Sequence, residues 1–338
     1  MERSLRRAAV FLVLVLAGPG LSVNAADDEL PVIRRSFAEV NEPAPPFTGG
    51  KFEPASGETI AFLGGTDIVD LDRHLFLESA FHLAWPDRDL HLRNLALQGD
   101  TIYYQARPQN FYTRKGDPQP GSIPDHRERT RPGIIVLGFG KMDSLEGAES
   151  LPRFIAAYEK LLDELAPLTG RFVILSPTPF FQSGPAAAEA GKRNADLEPF
   201  VTALRELASA RGLLFVDLFT PLRTEPDATL SPNGIHLNAA GHRVLAGLVA
   251  AQLKFPATIE APNTLALNAA IERKNRLWQQ YYRPTNWAFL FGDRQHVPAS
   301  RDVEKREERW FVREIDSLPG LIAEAEADIQ RYAKEAAK

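Results

Sequence analysis

The sequence of 338 residues contains no cysteine. This absence excludes disulfide bonds, thiolate nucleophiles and a lipid anchor on cysteine. The chain also has no internal repeat, no low-complexity tract and no basic run, and its formal net charge at pH 7 is −5. An acidic chain of this kind gives no electrostatic support for nucleic-acid binding. We therefore expect no nucleic-acid partner and a small or neutral ligand.

The N-terminus lacks an apolar run of the roughly 20 residues that a comfortable membrane span requires. Three arginines among the first seven residues precede the apolar run Ala8–Ala17, and small residues then lead to Val23–Ala25, an A-x-A-like cleavage site before Ala26. This pattern predicts a secretory signal peptide over residues 1–25, with a retained N-terminal anchor as the alternative. We expect an exported protein, periplasmic or extracellular, that does not span a membrane after cleavage. Cleavage removes three Arg and one Glu, which changes the net charge from −5 to −7.

Short apolar segments alternate with amphipathic segments along most of the chain. Strands are predicted over residues 59–63, 89–96, 133–139, 171–175 and 213–219. Helices are predicted over residues 71–84, 151–165, 195–210 and 239–253. This alternation is typical of βαβ units and predicts a three-layer α/β/α sandwich with a central parallel sheet.

Composition divides the remaining chain into two flanking segments. Residues 26–56 are rich in Pro and Gly and predict an irregular leader before a domain over residues 57–256. Residues 257–338 predict a mainly helical C-terminal extension, with helices over 265–282 and 321–334. The extension either packs on the main domain or forms a separate recognition module.

In an open parallel sheet, ligands bind beyond the carboxyl ends of the strands. The segments that follow the predicted strands carry polar and glycine residues at Gly64–Asp67, Gln98–Asp100, Gly138–Asp143 and Ser231–His242. These four segments are the candidate site.

Three stretches of the chain resemble the conserved blocks of the SGNH (GDSL-type) hydrolases. Asn233–Asn238 reads N-G-I-H-L-N and is similar to that family's D-G-x-H-L-N signature. Asn94–Thr101 is similar to its second block, N-L-x-x-x-G-D-T, and Phe215–Phe219 to the strand that precedes its histidine loop. The matches occur in order over roughly residues 57–255. The resemblance implies a flavodoxin-like sandwich and an ester hydrolase that needs no cofactor.

Carried over by position, the resemblance implies five site residues. Thr66 stands at the nucleophile, His236 at the general base, and Asn233 where the family has the Asp that orients the imidazole. The backbone amides of Thr66 and Gly99 belong to the oxyanion hole, with Met142 where the family has an Asn donor. Only the glycine and the histidine match the family's residue types.

Each substitution has a physical cost. Thr66 keeps a hydroxyl, but its methyl group stiffens χ1 and crowds the line of attack. Met142 has no hydrogen-bond donor, and the loss of one oxyanion donor costs on the order of 10²–10³ in rate. Asn233 bears no charge to stabilise an imidazolium, a change that costs about 10⁴ in a serine protease.

Other polar residues of these segments are cleft candidates. Asp67, Asp100 and Asp143 lie beside the nominal nucleophile, glycine and oxyanion positions, where one of them would supply a carboxylate. Asp143 is a poor replacement for an oxyanion donor because a carboxylate repels the developing charge. Asp100 is otherwise a loop or cap residue. Asn194 is either the N-cap of the following helix or a residue that lines the cleft.

The histidines do not predict a metal site. His74 and His82 lie eight residues apart on a predicted helix, and His91 follows in a strand. No set of His, Asp and Glu has ligand spacing that indicates a bound ion. We therefore expect no metal.

The extension is similar to the C-terminal part of planctomycete-type SGNH-like proteins. The similarity lies in the segments 272–277, 283–287 and 291–294, which are rich in arginine and aromatic residues. The alternative is a seam in which arginines stack on aromatic rings against the main domain.

The sequence leaves three functions open. The first is an exported hydrolase of acylated carbohydrate or another small ester, with an altered triad. The second is a catalytically inactive protein, a pseudoenzyme, that binds a glycan or a protein partner. The third is a structural module of a larger exported assembly. The oligomeric state is open in all three.

Overall fold

A computed structural model of the chain describes residues 37–105, 130–224, 227–256, 264–290, 294, 296–298 and 301–338. The predicted signal peptide, residues 26–36 of the predicted leader and residues 291–293 of the third extension segment lie outside these ranges. The four segments of the candidate site all lie within them.

A five-stranded parallel sheet forms the centre of the molecule. Its strands are β1 (Thr59–Gly64), β2 (His91–Asn94), β3 (Pro132–Gly138), β4 (Phe172–Leu175) and β5 (Leu214–Val216), in the order β2-β1-β3-β4-β5. The predicted α/β class is thereby confirmed. Near-continuous apolar runs form these strands because helices cover both faces of a parallel sheet.

Helices follow the strands in the alternating order that the sequence predicts. They are α1 (Thr66–Val69), α2 (Phe76–Ala84), α3 (Leu151–Leu165), α4 (Ala190–Arg211), α5 (Phe219–Leu222), α6 (Asp227–Leu230), α7 (Ala239–Gln252), α8 (Leu265–Tyr282), α9 (Trp287–Leu290) and α10 (Trp310–Ala336). No helix among the described ranges is long and apolar enough to cross a membrane.

The sheet buries different residues on its two faces. Ile60, Phe62 and Val136 pack with Phe81 of α2 and Val249 of α7 in one apolar cluster. The residues that alternate with them, Ala61, Leu63, Ile135 and Leu137, are also fully buried, as the twofold alternation of a strand requires. Helix α3 packs on α4 through Phe154 and Phe200, whose ring centroids lie 4.9 Å apart.

The described part of the leader is irregular but belongs to the core. Phe37 and Ala44 form isolated bridges with Thr130 and Thr169. Phe52 is only 2% exposed and packs on the ring of Trp85 at a centroid distance of 5.5 Å. This segment therefore closes one side of the sheet.

Two helices begin earlier than the sequence predicts. Helix α4 begins at Ala190, which places Asn194 inside the helix, so the expected N-cap role of Asn194 is wrong. Helix α10 begins eleven residues before the predicted residue 321 and contains Pro319. A proline removes one helical hydrogen bond, but α10 buries an apolar stripe along its length. The stripe consists of Ile315, Leu318, Ile322, Ala325, Ile329 and Ala333.

Strand β5 ends earlier than predicted, at Val216. The amides of Leu218 and Phe219 donate to the hydroxyl of Ser176, at 2.8 and 3.1 Å. They are thereby turned away from the sheet, and α5 begins at Phe219.

The C-terminal extension covers the edge strand β2. The backbone oxygens of Leu92 and Asn94 accept hydrogen bonds from Lys274 Nζ, at 3.2 Å, and Trp278 Nε1, at 3.0 Å. The oxygen of Ala96, two residues further on, accepts one from Arg283. An exposed strand edge presents unpaired backbone groups. Here Lys274 and Trp278, one helical turn apart on α8, bond the carbonyls of Leu92 and Asn94, and Arg283, just after α8, bonds that of Ala96.

Candidate active site

The segments that follow β1 and β2 come into close contact at a glycine. A Cβ atom at Gly65 would collide with the carbonyl oxygen of Asp100, so only glycine allows this close approach. Thr66 follows as the first residue of α1 and is 4% exposed. Its hydroxyl forms no hydrogen bond with any residue that the structure describes.

A carboxylate faces the imidazole of His236. Asp70 Oδ2 lies 3.2 Å from His236 Nδ1, and the side chains are 14% and 30% exposed. The other oxygen of Asp70 lies 3.3 Å from a guanidinium nitrogen of Arg73. Asp70 lies four residues after Thr66, about one helical turn along the chain. The arrangement therefore combines a hydroxyl-bearing residue and a carboxylate in one short segment, opposite a histidine from the loop after β5.

Asn233 has a different role from the one implied by its position. Its Oδ1 accepts hydrogen bonds from the backbone N–H groups of Ile235, at 3.0 Å, and His236, at 2.8 Å. Gly234 adopts φ +81°, and a Cβ there would lie 2.6 Å from the carbonyl oxygen of Ser183. Asn233 thus shapes the backbone of the histidine loop, whereas Asp70 makes the contact that orients the ring.

Asp67 belongs to a buried network with Lys141. Lys141 Nζ lies 3.1 Å from Asp67 Oδ1 and donates to Thr178 Oγ1 and to the backbone oxygen of Ile235, both at 2.7 Å. Lys141 is 4% exposed, and burial lowers the pKa of its ammonium. This one side chain links the segments that follow β1, β3, β4 and β5, and so fixes the floor of the site.

Asp143 braces the segment after β3 against the segment after β2. Its two oxygens accept from the backbone N–H groups of Ile102, at 2.8 Å, and Gly140, at 2.9 Å. Burial raises the pKa of Asp143 to about 6. Met142 beside it is half-buried and has no group that donates a hydrogen bond to an oxyanion.

The remaining two cleft candidates also bind backbone groups. Asp100 is 2% exposed, and its Oδ2 lies 3.4 Å from the N–H of Leu97, beside Gly99 at φ +81°. Asn194 accepts from the N–H of Phe180 and donates to its carbonyl oxygen, both at 2.8 Å. Asn194 therefore fixes the loop after β4 from within α4.

A pair of stacked histidines lies beside the site. The rings of His74 and His242 stack with centroids 4.3 Å apart. Burial, together with His74, Arg73 and His236 nearby, lowers the pKa of His242 to about 3, so this ring is neutral. Among the described ranges no group of three His, Asp or Glu side chains is arranged to hold a metal ion.

Sequence reasoning did not identify Asp70 or Thr178 as parts of the site, and it placed Lys141 in a candidate segment without assigning it a role. The available signal for Asp70 was its i+4 spacing from Thr66, which places two residues on one face of a helix. The contact itself joins residues 166 positions apart, and no local pattern indicates it. Lys141 and Thr178 follow strands, but the bonds between them depend on the tertiary fold.

A comparison with known protein families matches the part of the chain that contains the candidate site. A family model described as the GDSL-like lipase/acylhydrolase family matches residues 66–244, more than half of the chain. No curated protein matches the chain.

Several solved structures are similar to the chain at low identity. A gut microbial diltiazem-metabolizing enzyme is 22% identical, with a TM-score of 0.47, over 61% of this chain and 49% of that protein. This chain therefore spans about half of that enzyme's length. An acetylxylan esterase from Geobacillus stearothermophilus is 19% identical, with a TM-score of 0.44, over 60% of this chain and 97% of the esterase. An α/β hydrolase enzyme from the metagenome of Lake Arreo, Spain, is 18% identical, with a TM-score of 0.41, over 60% and 98%.

Proposed function

Because the chain belongs to the GDSL-like lipase/acylhydrolase family, within the SGNH hydrolase superfamily, we propose that it is an exported hydrolase of small esters or acylated carbohydrates. Its catalytic groups are the hydroxyl of Thr66, the imidazole of His236 and the carboxylate of Asp70. The observation that carries the proposal is the 3.2 Å contact between Asp70 and His236. Export rests on the N-terminal sequence, and the preference for neutral substrates on the acidic charge of the chain.

In the proposed reaction Thr66 Oγ1 attacks the acyl carbonyl carbon while His236 Nε2 accepts its proton. The imidazolium then gives this proton to the departing alcohol, which leaves an acyl ester on Thr66. Water, deprotonated by His236, attacks that ester, releases the carboxylic acid and restores the Thr66 hydroxyl. This is the usual two-step logic of an activated hydroxyl nucleophile.

Asp70 supplies the negative charge that the amide of Asn233 lacks. A carboxylate that accepts the Nδ1 proton holds the ring in the tautomer whose Nε2 is free to act as a base. It also stabilises the imidazolium once the proton has been transferred. The charge missing at Asn233 is therefore restored from another part of the chain.

The oxyanion hole is the weaker part of the site. The backbone N–H groups of Thr66 and Gly99 are the proposed donors, and Met142 contributes none. A missing donor lowers the rate by on the order of 10²–10³. We therefore expect slow turnover.

A second function, binding of a glycan or protein partner without catalysis, is favoured by one observation. The Thr66 hydroxyl makes no hydrogen bond to His236 in the described structure, whereas an activated nucleophile bonds its base. Catalytic hydrogen bonds often tighten only when substrate binds, so the first function remains our conclusion.

The decisive assay measures hydrolysis of p-nitrophenyl acetate by the mature chain. His236→Ala should abolish turnover, since general-base catalysis contributes about 10²–10⁴. Thr66→Ser should raise it because the crowding methyl is removed. The control is His296→Ala, at an exposed histidine, which should leave the rate unchanged. No turnover in either wild type or Thr66→Ser would reject catalysis and favour the binding function.

A further inference from the structure

We propose that helix α8 of the C-terminal extension positions Asp70 against His236, with Trp278 and Gln279 as the positioning residues. The inference rests on the proposed active site and deepens it, because it makes the extension part of the site's framework. Two chains of hydrogen bonds run from α8 to the segment that carries Thr66 and Asp70.

The first chain of bonds passes through β2. Trp278 Nε1 donates to the backbone oxygen of Asn94 at 3.0 Å, and Asn94 Nδ2 donates to the backbone oxygen of Ile68 at 2.9 Å. Asn94 is 4% exposed and Trp278 is 4% exposed, so water does not compete for these bonds. Ile68 lies in α1 midway between Thr66 and Asp70. Trp278 thereby fixes the middle of the catalytic segment.

The second chain of bonds reaches the other end of the segment. Asp70 begins a 3₁₀ turn that ends at Asp72. Gln279 Nε2 donates to Asp72 Oδ2 at 3.2 Å, and Asn275 Nδ2 lies 3.4 Å from the backbone oxygen of Asp72. Bonds that begin on α8 therefore reach the chain on both sides of Asp70, at Ile68 through Asn94 and at Asp72 directly.

Helix α8 is itself fixed to the main domain. Lys274 Nζ lies 2.6 Å from Glu78 Oε1 of α2, and both side chains are buried. Arg93 of β2 lies over the ring of Trp278, 5.0 Å from its centroid. A helix held in this way transmits its position to the segment it bonds. A small displacement of a catalytic group costs up to about 10²-fold in rate, so the bonds of Trp278 and Gln279 matter for the chemistry as well as for the fold.

The test uses substitutions that remove a donor and preserve the packing. Trp278→Phe keeps an aromatic ring beneath Arg93 but loses the indole N–H, and Gln279→Ala alters an exposed side chain that does not contribute to the core. The matched control is Gln280→Ala, at the next position of α8, which is also exposed. Urea unfolding of each full-length mature variant establishes that it is folded.

Two measurements are made on each variant. ¹⁵N NMR of the neutral His236 ring reports which nitrogen carries the proton, and Asp70→Asn calibrates the loss of the carboxylate contact. Hydrolysis of p-nitrophenyl acetate gives kcat and KM separately. We expect the Nδ1–H form to dominate in wild type and in Gln280→Ala. The fraction of the Nδ1–H form should decrease in Trp278→Phe and in Gln279→Ala, and it should decrease most in the double variant. In these variants kcat should fall by about tenfold, while KM stays unchanged.

An unchanged tautomer in the folded double variant would overturn the inference. This outcome is separable from failure of the proposed function, because the NMR measurement does not require turnover. If the wild-type chain hydrolyses no ester but the double variant still loses the Nδ1–H form, the positioning role holds and the hydrolase function fails. If turnover is normal and neither readout changes in the double variant, the hydrolase function holds and the positioning role fails.

Discussion

Two side-chain pairs, each with a carboxylate from the chain between β1 and β2, differ in how deeply they are buried. The seam pair, Glu78 and Lys274, joins α2 to α8, with side chains 7% and 2% exposed. The site pair, Asp70 and His236, joins α1 to the histidine loop, with side chains 14% and 30% exposed. Asn275 adds a further bond to Glu78 at 2.9 Å.

The difference reflects what each pair has to do. The charges of a buried pair must be satisfied by protein groups, because water cannot solvate them. Burial alone would raise the pKa of Glu78, but Lys274 and His82 lower it to about 2. In the proposed mechanism His236 must stay accessible to substrate, and its side chain is 30% exposed. The seam pair thus stabilises the fold, while the site pair leaves His236 accessible for the proposed reaction.

Lys274→Met should produce the largest change in stability. It leaves the Glu78 carboxylate buried without its cation, and breaking a buried pair in this way costs about 3–5 kcal/mol. Urea unfolding measures the loss. Lys334→Met is the matched control, since Lys334 is 45% exposed and 4.0 Å from Asp87; it should change the free energy of unfolding by less than about 0.5 kcal/mol. Equal effects of the two substitutions would remove the distinction between the seam pair and a surface pair.

Met142→Asn should raise the hydrolysis rate. It supplies the side-chain donor that the oxyanion hole lacks, and one such donor contributes on the order of 10²–10³ in kcat. Met142→Leu is the control, because it changes the shape of the side chain without adding a donor. If kcat does not rise in Met142→Asn, the missing oxyanion donor is not what limits the rate of hydrolysis.

Acid should weaken the contact between α10 and β2, which depends on a second buried carboxylate, that of Glu326. Burial would raise the pKa of Glu326, but the bonds from His91 and Arg93 lower it to about 2, below its ordinary value of 4.5. Because the folded-state pKa is the lower one, this stability is present above about pH 4.5 and is lost as the pH falls towards 2. A shift of this size corresponds to about 3 kcal/mol of stability.

Glu326→Gln tests that pH dependence. The variant should be less stable than wild type at pH 7, and the difference should shrink as the pH falls from about 4.5 towards 2. Urea unfolding at a series of pH values measures both chains. A difference that stays constant across this range would contradict the assignment of the low pKa to Glu326.

The sequence predicted the sheet, its helical layers and the segments that meet at its carboxyl edge, because these depend on local apolar patterns. The predicted segments around Gly99 and His236 both contact the segment that follows β1, through Gly65 against Asp100 and Asp70 against His236. The sequence did not predict Asp70, because its partner lies 166 residues away. It assigned the orienting role to Asn233 by position, whereas the side chain of Asn233 bonds the loop backbone.

The extension shows the same limit. The one-turn spacing of Lys274 and Trp278 is visible in the sequence, but nothing local indicates that they bind the carbonyls of Leu92 and Asn94. The signal peptide and export depend on residues 1–25, and they stay predictions.

In the proposed mechanism Asp70, and not the residue at position 233, orients His236 for catalysis. The most direct test compares p-nitrophenyl acetate hydrolysis by wild type and Asp70→Asn, with Asp87→Asn as a control at a carboxylate that is 90% exposed. We predict that Asp70→Asn lowers kcat by about 10²–10⁴ and that Asp87→Asn leaves it unchanged. Wild-type kcat in Asp70→Asn, under conditions in which His236→Ala is inactive, would contradict the claim.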